Sequence, residues 1–248
     1  MGMKKMVQPP GIDLRRISYI DDQFYEYTSG ARWTTVNTGS GTNTISTTAQ
    51  DGVLVMANSA ATNDAQFVYT TALAGLWAAG IQHSFEITLQ FSEASTNNAN
   101  VWAGFTSLQT VAQLVNASAG PAVSFTGAGF FKKGGSTVWS TISSQSTTQN
   151  VNTTTLTAGQ TAYQRLRIDM QTNQNSQVEI SYYIDQGSGE QPILTGSLPR
   201  PLKDVITLSS PATMYFGFGI KNGTTSGETL NVDMAGLWKL RTNFVAAT

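Results

Sequence analysis

The sequence predicts an all-β fold, a two-sheet antiparallel sandwich preceded by an extended N-terminal arm, and three observations predict it. Only 12% of the 248 residues are charged, against about 25% in typical soluble domains, so uncharged polar groups must cover the surface. Ser, Thr, Asn, Gln and Gly supply them, notably over 34–50 and 136–160. Ser and Asn compete for backbone hydrogen bonds and Thr loses rotamers in a helix, whereas Thr suits a half-buried strand. Second, short apolar/polar alternations recur at even spacing. Third, no long helical pattern separates them, and parallel strands would need such crossovers.

Residues 1–20 stand apart. They hold Lys4, Lys5, Arg15 and Arg16, four of the 14 basic residues, and the Pro9-Pro10-Gly11 breaker. Proline fixes φ and removes a ladder donor, and no period runs through the segment. It is expected to be an arm that orders on a partner's surface, with Lys4, Lys5, Pro9, Pro10, Arg15 and Arg16 as contacts. At about 3.3 Å per residue it reaches roughly 60 Å.

The body is expected over 21–240. Strands are read at 32–36, 43–48, 52–56 after an Asp51-Gly52 turn, and 66–69. In 83–91, Phe85, Ile87, Leu89 and Phe91 share one face while Ser84, Glu86, Thr88 and Gln90 share the other, the period of a half-buried strand. Further strands are read at 101–105, 123–125 and 130–133, then at 137–139 after a Gly134-Gly135 hairpin. The Ser/Thr/Asn segment 140–157 suits a two-sided polar strand. Strands 163–169 and 177–185 flank an Asn-rich turn, and 214–221 and 230–240 complete the set, leaving a tail at 241–248. Only 73–79 and 110–115 suit helix.

Composition excludes several classes of function. No cysteine means no disulfide framework, thiolate site or cysteine nucleophile. A net charge of -1 gives no field to draw nucleic acid or membrane. The Met1–Val7 start is followed by Gln8-Pro9-Pro10 and not by an apolar h-region, and no apolar run reaches the roughly 18 residues of a membrane span. The sequons at Asn116, Asn152 and Asn222 then follow from abundant Asn and Thr.

The order of these pieces resembles the concanavalin A-like lectin/glucanase jelly roll. The resemblance is carried by Asp21-Asp22-Gln23-Phe24 with Arg32-Trp33, Asp51-Gly52-Val53-Leu54, Phe85-Glu86-Ile87 and Trp102-Ala103-Gly104-Phe105. It continues in Arg165–Ile168 with Val178–Asp185, and in Leu230-Asn231-Val232-Asp233. Within that superfamily the cysteine-free, Thr/Ser/Ala/Gly/Asn-rich chain with a short basic arm is similar to tailed-bacteriophage head decoration or cement proteins. That implies a virion location after assembly in the host cytoplasm, a trimer, and the major capsid protein or another virion protein as partner. The alternative is a carbohydrate-binding module or adhesin of a phage tail or cell surface.

Chemistry is sparse. His83 is the one histidine, and a triad needs a nucleophile, a base and an orienting group. The glucanases of the superfamily place carboxylates two and four residues apart on one strand, so that acid and nucleophile converge. Here Glu86, Glu179 and Asp233 each stand alone on their strands, and Asp21 and Asp22 point to opposite faces. Catalysis is therefore not expected, and Glu86, Glu179 and His83 are expected not to share a cleft. No cofactor is expected. Asp22 and Asp233 are weak calcium candidates, since calcium takes oxygen ligands. Trp33, Trp77, Trp102, Trp139 and Trp238 are read as core or sheet-edge anchors. In a sugar-binding module Trp139, beside the polar segment 140–157, is the best candidate for an exposed stacking ring, and Lys132 and Lys133 are expected at a protruding basic tip. Gly217 and Gly219 are read as thin positions beneath rings of the opposite sheet.

Overall fold

The computed structural model describes residues 17–241 except 47, 49–51, 73, 95, 96, 117, 118, 161, 188 and 194–201. The chain begins with β1 (Ile17–Asp22), β2 (Trp33–Thr38), β3 (Thr42–Ile45), β4 (Leu54–Ala57), β5 (Ala65–Thr70), β6 (Gly75–Trp77) and β7 (Ile81–Ser92). It continues through β8 (Ala99–Thr106), β9 (Leu114–Val115), β10 (Gly120–Pro121), β11 (Gly127–Lys132), β12 (Val138–Gln145) and β13 (Thr148–Thr157). The last six are β14 (Gln164–Thr172), β15 (Gln177–Asp185), β16 (Gln191–Pro192), β17 (Lys203–Thr207), β18 (Ala212–Asn222) and β19 (Thr229–Arg241).

Antiparallel pairing joins these strands into two large sheets. One has nine strands in the order β16-β15-β14-β7-β19-β4-β3, with β1 also on β19 and β17 also on β15. The other has eight in the order β13-β12-β11-β8-β18-β5-β2, with β6 also on β18. The period in β7 is realised: Phe85, Ile87, Leu89 and Phe91 are fully buried, while Ser84, Glu86, Thr88 and Gln90 are half-buried. Phe85 meets Phe216 of the facing sheet at 4.5 Å between ring centres.

A second apolar cluster lies on the other side of the eight-stranded sheet. Phe67, Tyr69, Trp102, Phe131 and Ile142 are covered there by Leu114, Ala122 and Phe125 of the 107–126 segment. Tyr69 OH donates to Thr110 O at 2.7 Å and Lys221 Nζ to Leu114 O at 2.9 Å, tying the segment down. Gly217 and Gly219 do lie beneath rings, but these are Tyr69 and Phe67 of β5, their partners in the same sheet. Both glycines face away from the sandwich, so the opposite sheet cannot reach them. Gly129 likewise carries the Trp102 ring. Gly129→Ala is expected to cost about 1–2 kcal/mol through overpacking, read as a lower urea midpoint with an unchanged slope.

Four readings change. Ile17–Ile20, assigned to the arm, are the first residues of β1, which pairs from Ile17↔Leu240 to Asp22↔Ala235; so short a run between Arg16 and Asp21 shows no period. The arm contacts Lys4, Lys5, Pro9, Pro10, Arg15 and Arg16 lie outside the described residues, as do Asp51 and 242–248 of the tail. The 73–79 segment holds strand β6, and buried Trp77 donates to Met170 Sδ at 3.2 Å. Residues 123–125 form a bend, with Phe125 closing the second cluster. The 110–115 segment is a single 3-10 turn at Val111–Gln113, capped by Thr110, running into β9.

Candidate functional site

Strand register builds a groove on the outer face of the nine-stranded sheet. Trp238 of β19 sits opposite Ser84 of β7, Ser84 opposite Asp169 of β14, Asp169 opposite Ser181 of β15, and Ser181 opposite Lys203 of β17. Inward residues of these strands are mostly apolar, so every second residue must face solvent. One neighbouring row is Gln82, Gln171 and Glu179; the other is Gly236, Glu86, Arg167 and Tyr183. Gln82, Ser84, Asp169, Gln171, Glu179, Ser181, Lys203 and Trp238 line a depression of about 300 Å³.

The Trp238 indole lies over Gly236. A Cβ at Gly236 would stand 2.7 Å from Trp238 Cη2, so only glycine leaves room for the six-membered ring there, and the side chain also lines the groove. Ser84 Oγ donates to Asp169 Oδ1 at 2.5 Å, and Arg167 Nη2 holds Oδ2 at 3.2 Å. Arg167 also reaches Glu190 at 2.9 Å and lies 4.2 Å from the centre of the Tyr183 ring. Arg165 bridges Glu86 and Asp185, each at 3.5 Å. Burial pushes the Glu86 carboxyl up, and Arg165 and Arg167 oppose the shift. Lys203 and Glu179 stand 3.7 Å apart and about half exposed, a loose pair worth little by itself.

His83 and Glu179 border this same groove while Glu86 is not in its lining, so the three do not all meet there. The His83 ring, however, turns inward. Nε2 accepts from Leu76 N at 3.1 Å, and the ring stands edge-on to Phe105 at 5.8 Å. Burial, then the Lys239 charge, lowers its pKa to about 4, so it is neutral at physiological pH. It is not placed to act as a base in the groove.

The residues chosen from sequence fall elsewhere. Trp139 is fully buried against Phe91 and Phe130, and its Nε1 donates to Gln164 Oε1 at 2.7 Å; it is a core ring and offers no stacking face. Lys132 is fully buried as well, paired with Glu93 at 2.5 Å. It shares the inward phase of Ala128 and Phe130 in β11, so the predicted basic tip keeps only the exposed Lys133. Asp22 and Asp233 do come to neighbouring strands through β1 and β19. The Asp22 carboxylate is occupied by Trp33 Nε1 at 2.7 Å, Phe24 N at 2.9 Å and Arg32 at 3.3 Å. Among the described residues, no group of three or more His, Asp or Glu is arranged to hold a metal.

Sequence reasoning missed the Trp238 groove. The outward phases of β7, β14 and β15 were legible, but β19 shifts register between Val232 and Met234. That bulge hides which face Trp238 takes.

No protein-family model and no curated protein matches the sequence. Solved structures do match in fold. Lectin II from Ulex europaeus is 10% identical, with 90% of this chain and 98% of that chain covered and a TM-score of 0.56. The endo-β-1,4-glucuronan lyase of the fungus Trichoderma reesei is 12% identical, covering 92% and 95%, at 0.56. The Emp47p carbohydrate recognition domain is 11% identical, covering 94% and 100%, at 0.54. The fold is therefore the lectin-like jelly roll that the sequence predicts.

Proposed function

We propose that this protein is a carbohydrate-binding module that holds a glycan in the groove of its nine-stranded sheet. The observation that carries the reading is the Trp238 indole, seated over Gly236 at one end of a groove lined by Gln82, Ser84, Asp169, Gln171 and Ser181. An aromatic platform beside a few convergent polar groups is how a concave site orients a small polar ligand. Sugar C–H faces pack on the ring and hydroxyls bond to the amides, hydroxyls and carboxylate. Two of the matched structures are named as a lectin and a carbohydrate recognition domain, which supports this reading. The capsid-decoration reading draws no support from the matched structures.

Binding without bond cleavage is part of the proposal. Asp169 is held by Ser84 and Arg167, and the His83 ring faces the other side of its strand. Neither is placed as an acid or base against a groove ligand. The test is glycan-array binding of the purified protein and of Trp238→Ala. The wild type is expected to bind. The variant should lose tenfold or more in affinity, about 1.4 kcal/mol, with unchanged circular dichroism. A blank array for the wild type, equal binding by the variant, or shortened products after incubation with bound glycans would refute the proposal.

A further inference from the structure

We infer that the groove takes an internal stretch of a linear, non-acidic polysaccharide, laid across the strands from Trp238 to Lys203. The inference rests on the carbohydrate reading above and specifies its ligand. The row Trp238, Ser84, Asp169, Ser181, Lys203 crosses five adjacent strands. Four inter-strand steps of about 4.8 Å make roughly 19 Å, the length of about four pyranose rings end to end. Small residues at Ser84 and Ser181 form the floor of the row. Longer side chains, Gln82, Gln171 and Glu179, line one flank of the row, and the next row on the other flank, Glu86, Arg167 and Tyr183, lies outside the lining. β17 ends its side of the sheet, and Lys203 there is exposed, so a chain can run off that edge. A trough of this shape suits an extended chain better than a single terminal sugar.

Charge sets the second property. Among the described residues, this face carries the carboxylates of Asp21, Glu86, Asp169, Glu179, Asp185 and Glu190 against the cations of Arg165, Arg167 and Lys203, six against three. Each of the three cations already faces a carboxylate. An acidic sugar therefore meets three surplus negative charges, and the summed field repels it. Neutral rings meet no such penalty, and an amine-bearing ring gains from the surplus.

Titration calorimetry on the full chain tests both properties. The ligands are β-1,4-linked gluco-, manno- and xylo-oligosaccharides, chitosan oligomers and oligoglucuronates, each of two, four and six residues. Affinity for a neutral or amine-bearing series is expected to rise at least tenfold from two residues to four and then level off. The oligoglucuronates should bind at least tenfold more weakly at low salt. Lys203→Ala should weaken the four-residue ligand and leave the two-residue ligand unchanged. Trp238-dependent binding that is equal for two and four residues, or that prefers the oligoglucuronates, overturns this inference alone. A blank for every series together with a blank glycan array overturns it along with the carbohydrate reading.

Discussion

Replacing Lys132 with alanine is expected to cost about 3–5 kcal/mol, the range for removing one partner of a buried ion pair. The ammonium is fully enclosed. It holds Glu93 Oε1 at 2.5 Å, donates to Ala99 O at 2.9 Å, and stands 5.5 Å from the centre of the Phe91 ring. Burial lowers its pKa, and Glu93 opposes the shift. Without Lys132, Glu93 is a carboxylate with 1% side-chain exposure and no counter-charge. Glu93 also organises the link from β7 to β8: it accepts from Asn97 N at 2.9 Å, Ala99 N at 2.8 Å and the Gln160 amide. At roughly 2–4 °C per kcal/mol for a chain of this size, Lys132→Ala should melt about 10 °C lower. Lys132→Met with Glu93→Gln keeps both stems and removes both charges, and should recover most of the loss, because a neutral pair of similar volume carries no ionic desolvation cost. A single variant that melts within 2 °C of the wild type would show that the pair contributes little.

How far the sequence reveals this molecule depends on which residues carry the signal. Strand alternation in β7, β14 and β15 was plain because apolar residues hold one face without a break. The lectin-like arrangement followed from the order of such strands. The polar segment 140–157 proved to hold β12 and β13, with β13 an uncharged edge strand of the eight-stranded sheet. Side-chain fates were harder to see. The adjacent Lys132 and Lys133 show no visible pattern, yet the first is fully buried and the second exposed, since the two point to opposite faces of the chain. Trp139 is a core ring, one of the anchors the sequence suggests, and its place as the candidate stacking ring came from the polar run it precedes; that run is a strand whose inward positions are small polar residues. Thr141 is fully buried, and Ser143 is buried and donates to Asp204 at 2.7 Å. The groove depended on a β-bulge in β19, which no composition or period discloses.

Glu228→Gln is expected to stabilise the protein at pH 8, by on the order of 2–3 kcal/mol, and to have little effect near pH 4.5. Glu228 is fully buried. Its Oε2 accepts from Ala94 N at 2.9 Å, while Oε1 has no partner. Burial above all, with the nearby Glu93 charge adding to it, raises its pKa from 4.5 to about 7; the Ala94 bond and Lys132 pull the other way. The folded state thus binds this proton more tightly than the unfolded chain does. The resulting stabilisation is complete below pH 4.5, and it is lost as pH rises through 7. His83 has the opposite sign: its folded pKa is about 4 against 6.5 unfolded, so stability falls as pH drops from 6.5 toward 4. In the wild type the two slopes oppose each other between pH 4.5 and 6.5 and nearly cancel. Glutamine cannot ionise, so the variant should show the His83 slope alone. Urea midpoints from pH 4 to 8 read the difference directly: the gap between variant and wild type should open as pH rises from 4.5 to 7 and stay constant above it. A gap of the same size at every pH would mean that Glu228 does not titrate in this range and that the substitution acts through packing.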